Sequence, residues 1–334
     1  MENIIKARKQ KWVDFYESKK SGAMILITQD YGSCPLPYPE NKDKRIEYAL
    51  NMYKMRADAL DVDDDSIPYL SPYTGTELFA HAFGCDVYYP GNDMPAAIPF
   101  INNSAEAAKI SYPDLKSSPV IAEVFEIADK LRSYAPGALM RLPDIQSPLD
   151  VAALIWNKTD FFAAMYEEPE AVLNLVEQVE KFQTEFLDLW FGRYGRDFIA
   201  HYPDYYMPRG ITFSEDEVGC FSPEMFRKFS LDSLNRLSER YGMAGMHCCA
   251  DAKHQWENFK LIKNLKLINI GQSYEVCQEA YKYFEDTCAQ MHYAYISDEI
   301  WRDNKNMRVI VQEYAGSKQE AVEKCKRLRE KYEV

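Results

Sequence analysis

The stretch SPEMFRKFSLDSLNRLSERYGMAGMHCCA (222–250) contains one complete helix-then-strand step. Ser222 is a residue type that caps helix starts, Pro223 suits the first helical position, and Glu224 follows just inside. Gly242 stops the helix. The short run GMHCCA (245–250) then reads as a buried strand.

Working outward, the step repeats. DFIAHYPDYY (197–206) precedes it as a strand, behind a long helix that begins near EEPEAV and ends at Gly195. Downstream, KHQWENFKLI (253–262) reads as helix, LKLINIG (265–271) as strand, YEVCQEAYKYF (274–284) as helix and CAQMHYAYI (288–296) as strand. RVIVQEYA (308–315) is a strand and KQEAVEKCKRLREKY (318–332) a closing helix. Alternation at roughly 25–35 residues implies parallel strands joined by right-handed crossovers.

The first half is richer in loops and prolines. MILIT (24–28) is the first strand, 41–60 and 122–135 are helical, and 136–148 is strand then loop. DVDDD (61–65) reads as a solvated loop, since the spaced oxygens and distal Glu of a calcium loop are missing. Roughly eight strands result, which predicts a (β/α)8 barrel over 24–334 in one domain, behind an N-terminal helical and loop extension, 1–23. A doubly wound sheet is the competitor, but the chain has no G-x-G-x-x-G turn.

The formal charge of -13 argues against nucleic acid and against an anionic membrane as partners. The charged start MENIIKARKQKWVDFY lacks an export signal's apolar core, and no apolar run approaches the ~18 residues of a membrane span. The eight cysteines are therefore expected to be reduced thiols in a cytoplasmic protein.

Barrels place their chemistry at the carboxyl ends of the strands. Alternate side chains of a strand share a face, so His247 and Cys249 point one way and Cys248 the other. An imidazole and a thiolate on one face make a two-point start for zinc, and a third donor must come from another strand. A buried structural reading competes, because cysteine is among the most buried residue types. A redox pair is unsupported with adjacent cysteines, and a Cys–His nucleophile pair would span ~6.5–7 Å along the strand. Cys34, Cys85, Cys220, Cys277, Cys288 and Cys325 are read as packing, and His254 and Trp256 as surface or supporting groups.

These motifs resemble the uroporphyrinogen decarboxylase superfamily, in particular its zinc-dependent, cobamide-linked methyltransferases. MHCCAD (246–251) is similar to the superfamily's H-x-C-G-[DN] strand end, with Ala250 in place of Gly. SEDEVGCFSPEMF (214–226) resembles the block in which an acidic residue, here Glu215, precedes a Gly-x-x-Ser-Pro-Glu helix start. TGTELFAHAFGCDVYYP (74–90) resembles the early A-F-G segment. The decarboxylase branch carries an arginine-rich motif after the first strand, where this chain has TQDYGSCPLPYP (28–39) without arginine. The methyltransferase resemblance implies a (β/α)8 barrel, zinc on His247 and Cys249, and methyl exchange with a corrinoid on a separate partner protein. Its third ligand, a Cys after the last strand, is absent, and Glu313 is the nearest replacement. Glu215 and His292 are the reserve ligands and the expected catalytic residues. Asp93, in the loop YPGNDMP, and Tyr206 are the expected substrate contacts. The mouth is expected to suit a neutral or cationic small molecule. Metal-free decarboxylation and non-catalytic ligand binding are the alternatives.

Overall fold

The computed structural model describes residues 1–18, 21–29, 32–304 and 306–334. Asp30 and Tyr31 of the arginine-free stretch lie outside them. Nine strands build the wall: β1 (Gly22–Gln29), β2 (Tyr69–Leu70), β3 (Leu139–Met140), β4 (Phe198–Ile199), β5 (Ile211–Ser214), β6 (Ala244–Cys248), β7 (Leu265–Ile270), β8 (Ala289–Gln290) and β9 (Arg308–Ala315). Six of them form a parallel sheet in the order β1-β9-β8-β7-β6-β5. The rest of the wall is irregular. β2 pairs parallel with β3, Arg141 bridges Ile199 beside β4, and Gln146 bridges Ser214 of β5. The backbone N–H of Asp65 donates to the Ile25 carbonyl at 2.7 Å and closes the ring onto β1.

Helices Lys42–Asp58, Pro119–Tyr134, Pro169–Tyr194, Leu231–Tyr241, Trp256–Phe259, Tyr274–Tyr283, Asp298–Asp303 and Lys318–Tyr332 follow the strands. Among the described residues this makes eight strand–helix units, a (β/α)8 barrel as the rhythm predicts. The fourth unit holds both β4 and β5, because the chain turns back after β4 and pairs Ile199 antiparallel with Tyr206.

Local chemistry explains the elements. Ser222 Oγ accepts from Met225 N at 3.3 Å, Pro223 occupies the first turn, and Gly242 ends the helical region at φ 98°. The helix expected over 222–242 breaks at Ser230, whose hydroxyl donates inward to both Glu215 oxygens at 3.1 Å. KHQWENFKLI yields only short helical turns over 253–259. DVDDD departs most from expectation: Asp64 and Asp65 are 3% and 1% exposed. No helix among the described residues is long and apolar enough to cross a membrane.

Side-chain parity follows from the strands. Thr212 and Ser214 of β5 point into the barrel and hold His201 between them, Thr212 Oγ1 at 2.8 Å from Nδ1 and Ser214 Oγ at 3.0 Å from Nε2. Gly245 and His247 of β6 share the inward face, while Cys248 is fully buried on the opposite one.

Candidate active site

His247, next to last in β6, stands at the mouth, with Ser214 of β5 on one side and Asn269 of β7 on the other. Its Nδ1 lies 2.6 Å from Asn269 Oδ1. Asn269 Nδ2 donates to the Met291 carbonyl, so its Oδ1 is the end left to accept. The proton of His247 therefore sits on Nδ1, and Nε2 presents a lone pair. The edge of the Tyr202 ring lies 4.9 Å from the imidazole, centroid to centroid, and Tyr293 stacks on it at 6.2 Å. The two phenols are joined by a 3.0 Å hydrogen bond.

Asp216 follows β5 by two residues. Asp150 fixes its backbone, accepting from Asp216 N at 2.6 Å and from Glu217 N at 3.1 Å. Asp150 is placed in turn by the Ser147 cap, whose Oγ accepts from Asp150 N at 3.0 Å. The Asp216 carboxylate accepts from Cys249 N at 2.6 Å. Ligand atoms of Asp216, His247 and Cys249 all lie within 4.8 Å of one another. Zinc bonds of ~2.0–2.3 Å set donor atoms roughly 3.3–3.8 Å apart in a tetrahedral site, somewhat closer than the 4.8 Å within which these three lie. Burial, followed by the Asp216 charge and hydrogen bond, pushes the Cys249 thiol up to about 12. Carboxylate, neutral imidazole and thiolate are all established zinc donors, and this trio fits that ion.

The other expected site residues lie elsewhere. Glu313 sits on the outward face of β9, where both its oxygens accept from Arg327 Nη2 at 2.8 and 2.5 Å. The side chain that meets His247 and Cys249 is Asp216, and Glu313 stands apart from them. Glu215 points away from the mouth into the layer beneath Ser230, and burial raises its carboxyl. His292 is buried in the wall. Its Nδ1 accepts from Ile270 N at 3.0 Å, its Nε2 meets Gln290 Oε1 at 2.9 Å, and burial lowers it to about 3. Both nitrogens are occupied, which leaves neither for a substrate. Tyr206 directs its hydroxyl to Asp197 at 3.4 Å and borders a small cavity together with Trp12 and Tyr205. Asp93 stands exposed in a hairpin turn, its Oδ1 accepting from Met94 N at 2.7 Å.

Sequence reasoning missed Asp216 and Asn269. Parity offered a signal for the first, since positions 212, 214 and 216 share one face, whereas Asn269 is a neighbour only through β6–β7 register.

The model of the family described as uroporphyrinogen decarboxylase (URO-D) matches residues 73–291. A solved methyltransferase from Methanosarcina mazei superposes with a TM-score of 0.66 at 12% identity, covering 98% of this chain and 99% of that one. At that identity the likeness is one of fold. Among curated proteins none matches the sequence.

Proposed function

From the premise that this chain belongs to the uroporphyrinogen decarboxylase family, we propose that it is a metal-dependent methyltransferase working at the mouth of its barrel. The observation that carries this reading is the meeting of an Asp216 oxygen, a His247 nitrogen and the Cys249 sulfur within 4.8 Å. The fold-level likeness to a methyltransferase supports the choice of reaction. Zinc is the metal these donors suit, and when bound it acts as a Lewis acid on a thiol or a methyl-bearing heteroatom.

The chain's own residues prepare that position. Asn269 orients His247 and fixes its tautomer. Asp150 fixes Asp216 through two backbone N–H groups. Tyr202 and Tyr293 wall the imidazole and limit water on that side. Donors from the ends of two adjacent strands leave the rest of the mouth open to a small molecule and to a corrinoid carried by a partner protein, the methyl carrier in this reading.

A second reading, metal-free decarboxylation, rests on Asp144. This half-buried residue has a buried carboxyl oxygen without a partner, and desolvation pushes it up to about 6, beside Arg141 and Asp216. Elemental analysis with zinc-edge absorption separates the two. The metal reading expects one zinc per chain with mixed sulfur, nitrogen and oxygen ligation. Zinc is then lost in Asp216→Ala, His247→Ala and Cys249→Ala and retained in Glu313→Ala. Metal-free protein that still decarboxylates a carboxylic acid would favour the second reading.

A further inference from the structure

The loop 201–204 divides the mouth. Tyr202 packs on His247, whereas Asp204 turns to the other side, where it borders a cavity of about 170 Å³. Three guanidinium groups from two segments line that cavity: Arg45 and Arg56 from helix Lys42–Asp58, about three turns apart, and Arg141 just after β3. In a chain of net charge -13 this is a local reversal of sign. Asp204 is the carboxylate in the lining, paired with Arg141 Nε at 2.8 Å.

The pairing is incomplete. Arg45 is 6% exposed, and its Nε is buried with no acceptor. Its contact to Glu123 is long, 3.4 Å, and its Nη2 donates to the Tyr73 carbonyl. Arg56 spends both terminal nitrogens on Tyr69, and Arg141 Nη2 donates to the His201 carbonyl. Arginine stays charged in proteins, so a guanidinium whose only ion pair is long leaves positive potential at the cavity it lines. Behind Arg45, burial pushes Glu77 up to about 7, so this neighbour offers only part of a negative charge near neutrality.

The geometry points to a second binding site: Arg45, Arg56 and Arg141 receive the carboxylate of a small monoanionic substrate. Its reacting end, on the reading proposed above, reaches around Tyr202 to Asp216, His247 and Cys249. In the lining three cations face one carboxylate, with Glu123 outside it at 3.4 Å from Arg45, and this favours an anion over the neutral or cationic molecule expected at the mouth. A cavity of about 170 Å³ has room for a carboxylate on one ring, not for a tetrapyrrole.

Calorimetry on the full chain tests this with benzoate, benzamide and inorganic phosphate as probes. Benzoate is expected to bind, and benzamide, of the same shape without the charge, to bind at least about tenfold more weakly. Binding should fall by about tenfold or more in Arg45→Met and be partly kept in Arg45→Lys, which preserves charge but not the fork. It should survive His247→Ala, which separates a carboxylate held by arginine from one held by a metal. Equal binding of benzoate and benzamide in wild-type protein overturns the subsite, as does unchanged binding in Arg45→Met. Tighter binding of phosphate than of benzoate overturns the monocarboxylate assignment. If zinc is absent while benzoate binding depends on Arg45, the subsite stands and the metal reading fails. If zinc is bound and benzoate is ignored, the reverse holds.

Discussion

Asn269 decides which nitrogen of His247 faces the mouth. Its amide is anchored by donation to the Met291 carbonyl, so the oxygen at 2.6 Å from Nδ1 can only accept. Asn269→Ala frees the imidazole to exchange tautomers and to rotate. Zinc affinity, read by competition with a chelator, should then fall about 10–100-fold, the usual loss when such an outer partner is removed. Asn269→Asp should keep most of it, because a carboxylate accepts the same proton. Equal affinity in wild type and Asn269→Ala would falsify this role. The residue scale is also where legibility in sequence divides. His247 and Cys249 were readable because their chemistry is distinctive and their spacing of two puts them on one face. Glu313 and His292 carry equally suggestive chemistry, but their strands place them on outward positions, against Arg327 and Tyr281. The phase of alternation is set by tertiary packing and is not written in a residue's identity.

At the scale of elements, β5 and β6 set the site because they approach closely. A Cβ on Gly245 would run into the Tyr205 hydroxyl, and would also lie 3.0 Å from Thr212 Cγ2 and 3.2 Å from Tyr205 Cζ. Tyr205 is 2% exposed and has no room to withdraw. Gly245→Ala should therefore destabilise the fold by about 1–3 kcal/mol, the range for overpacking, and displace the strand that carries His247. Adding Tyr205→Phe, which removes the obstructing oxygen, should recover part of the loss in a double-mutant cycle measured by urea unfolding. Strict additivity would show that the two groups do not compete for the same space. This contact belongs to a region hard to read from sequence. The five-residue β6 and eight-residue β9 announce themselves as apolar runs, and the helix after β9 carries the Ser317 cap. β2 has two residues, too few for any period to appear, and β5 only four, in GITFSED. β3, β4 and β8 also have two residues each, and the sequence shows them only as the longer stretches 136–148, 197–206 and 288–296. Missing β5 as a strand is what hid Asp216.

At the scale of the whole molecule, the barrel is held shut where its ends meet, and the acidic run 61–65 is part of the closure. Eight residues of β1 pair in register with β9, joining the first strand to the last. On the other side of β1, Asp65 does the joining. Its carboxylate accepts from Ile25 N at 2.8 Å, from Lys11 of the N-terminal helix at 2.7 Å and from Arg329 of the C-terminal helix at 3.1 Å. Its backbone carbonyl takes the Trp12 indole N–H at 2.9 Å. Asp64 repeats the pattern one step along, accepting from Ile27 N at 3.0 Å and pairing with Arg8 at 3.2 Å. A run of acids that composition marks as solvated thus ties together both chain ends and the first strand, because cations and backbone donors converge on it from segments far apart in sequence. Asp65→Ala strands a buried backbone N–H and leaves Arg329 and Lys11 without their shared partner. The cost should be about 3–5 kcal/mol, as for one half of a buried ion pair. In a chain this long that lowers the melting temperature by roughly 5–10 °C. Asp63→Ala is the matched control. That side chain is 89% exposed and pairs with the same Arg329 at 3.1 Å, so its loss should cost at most about 0.5 kcal/mol. Comparable melting of the two variants would mean that the barrel closes without help from this seam, and that β1–β9 pairing alone carries it.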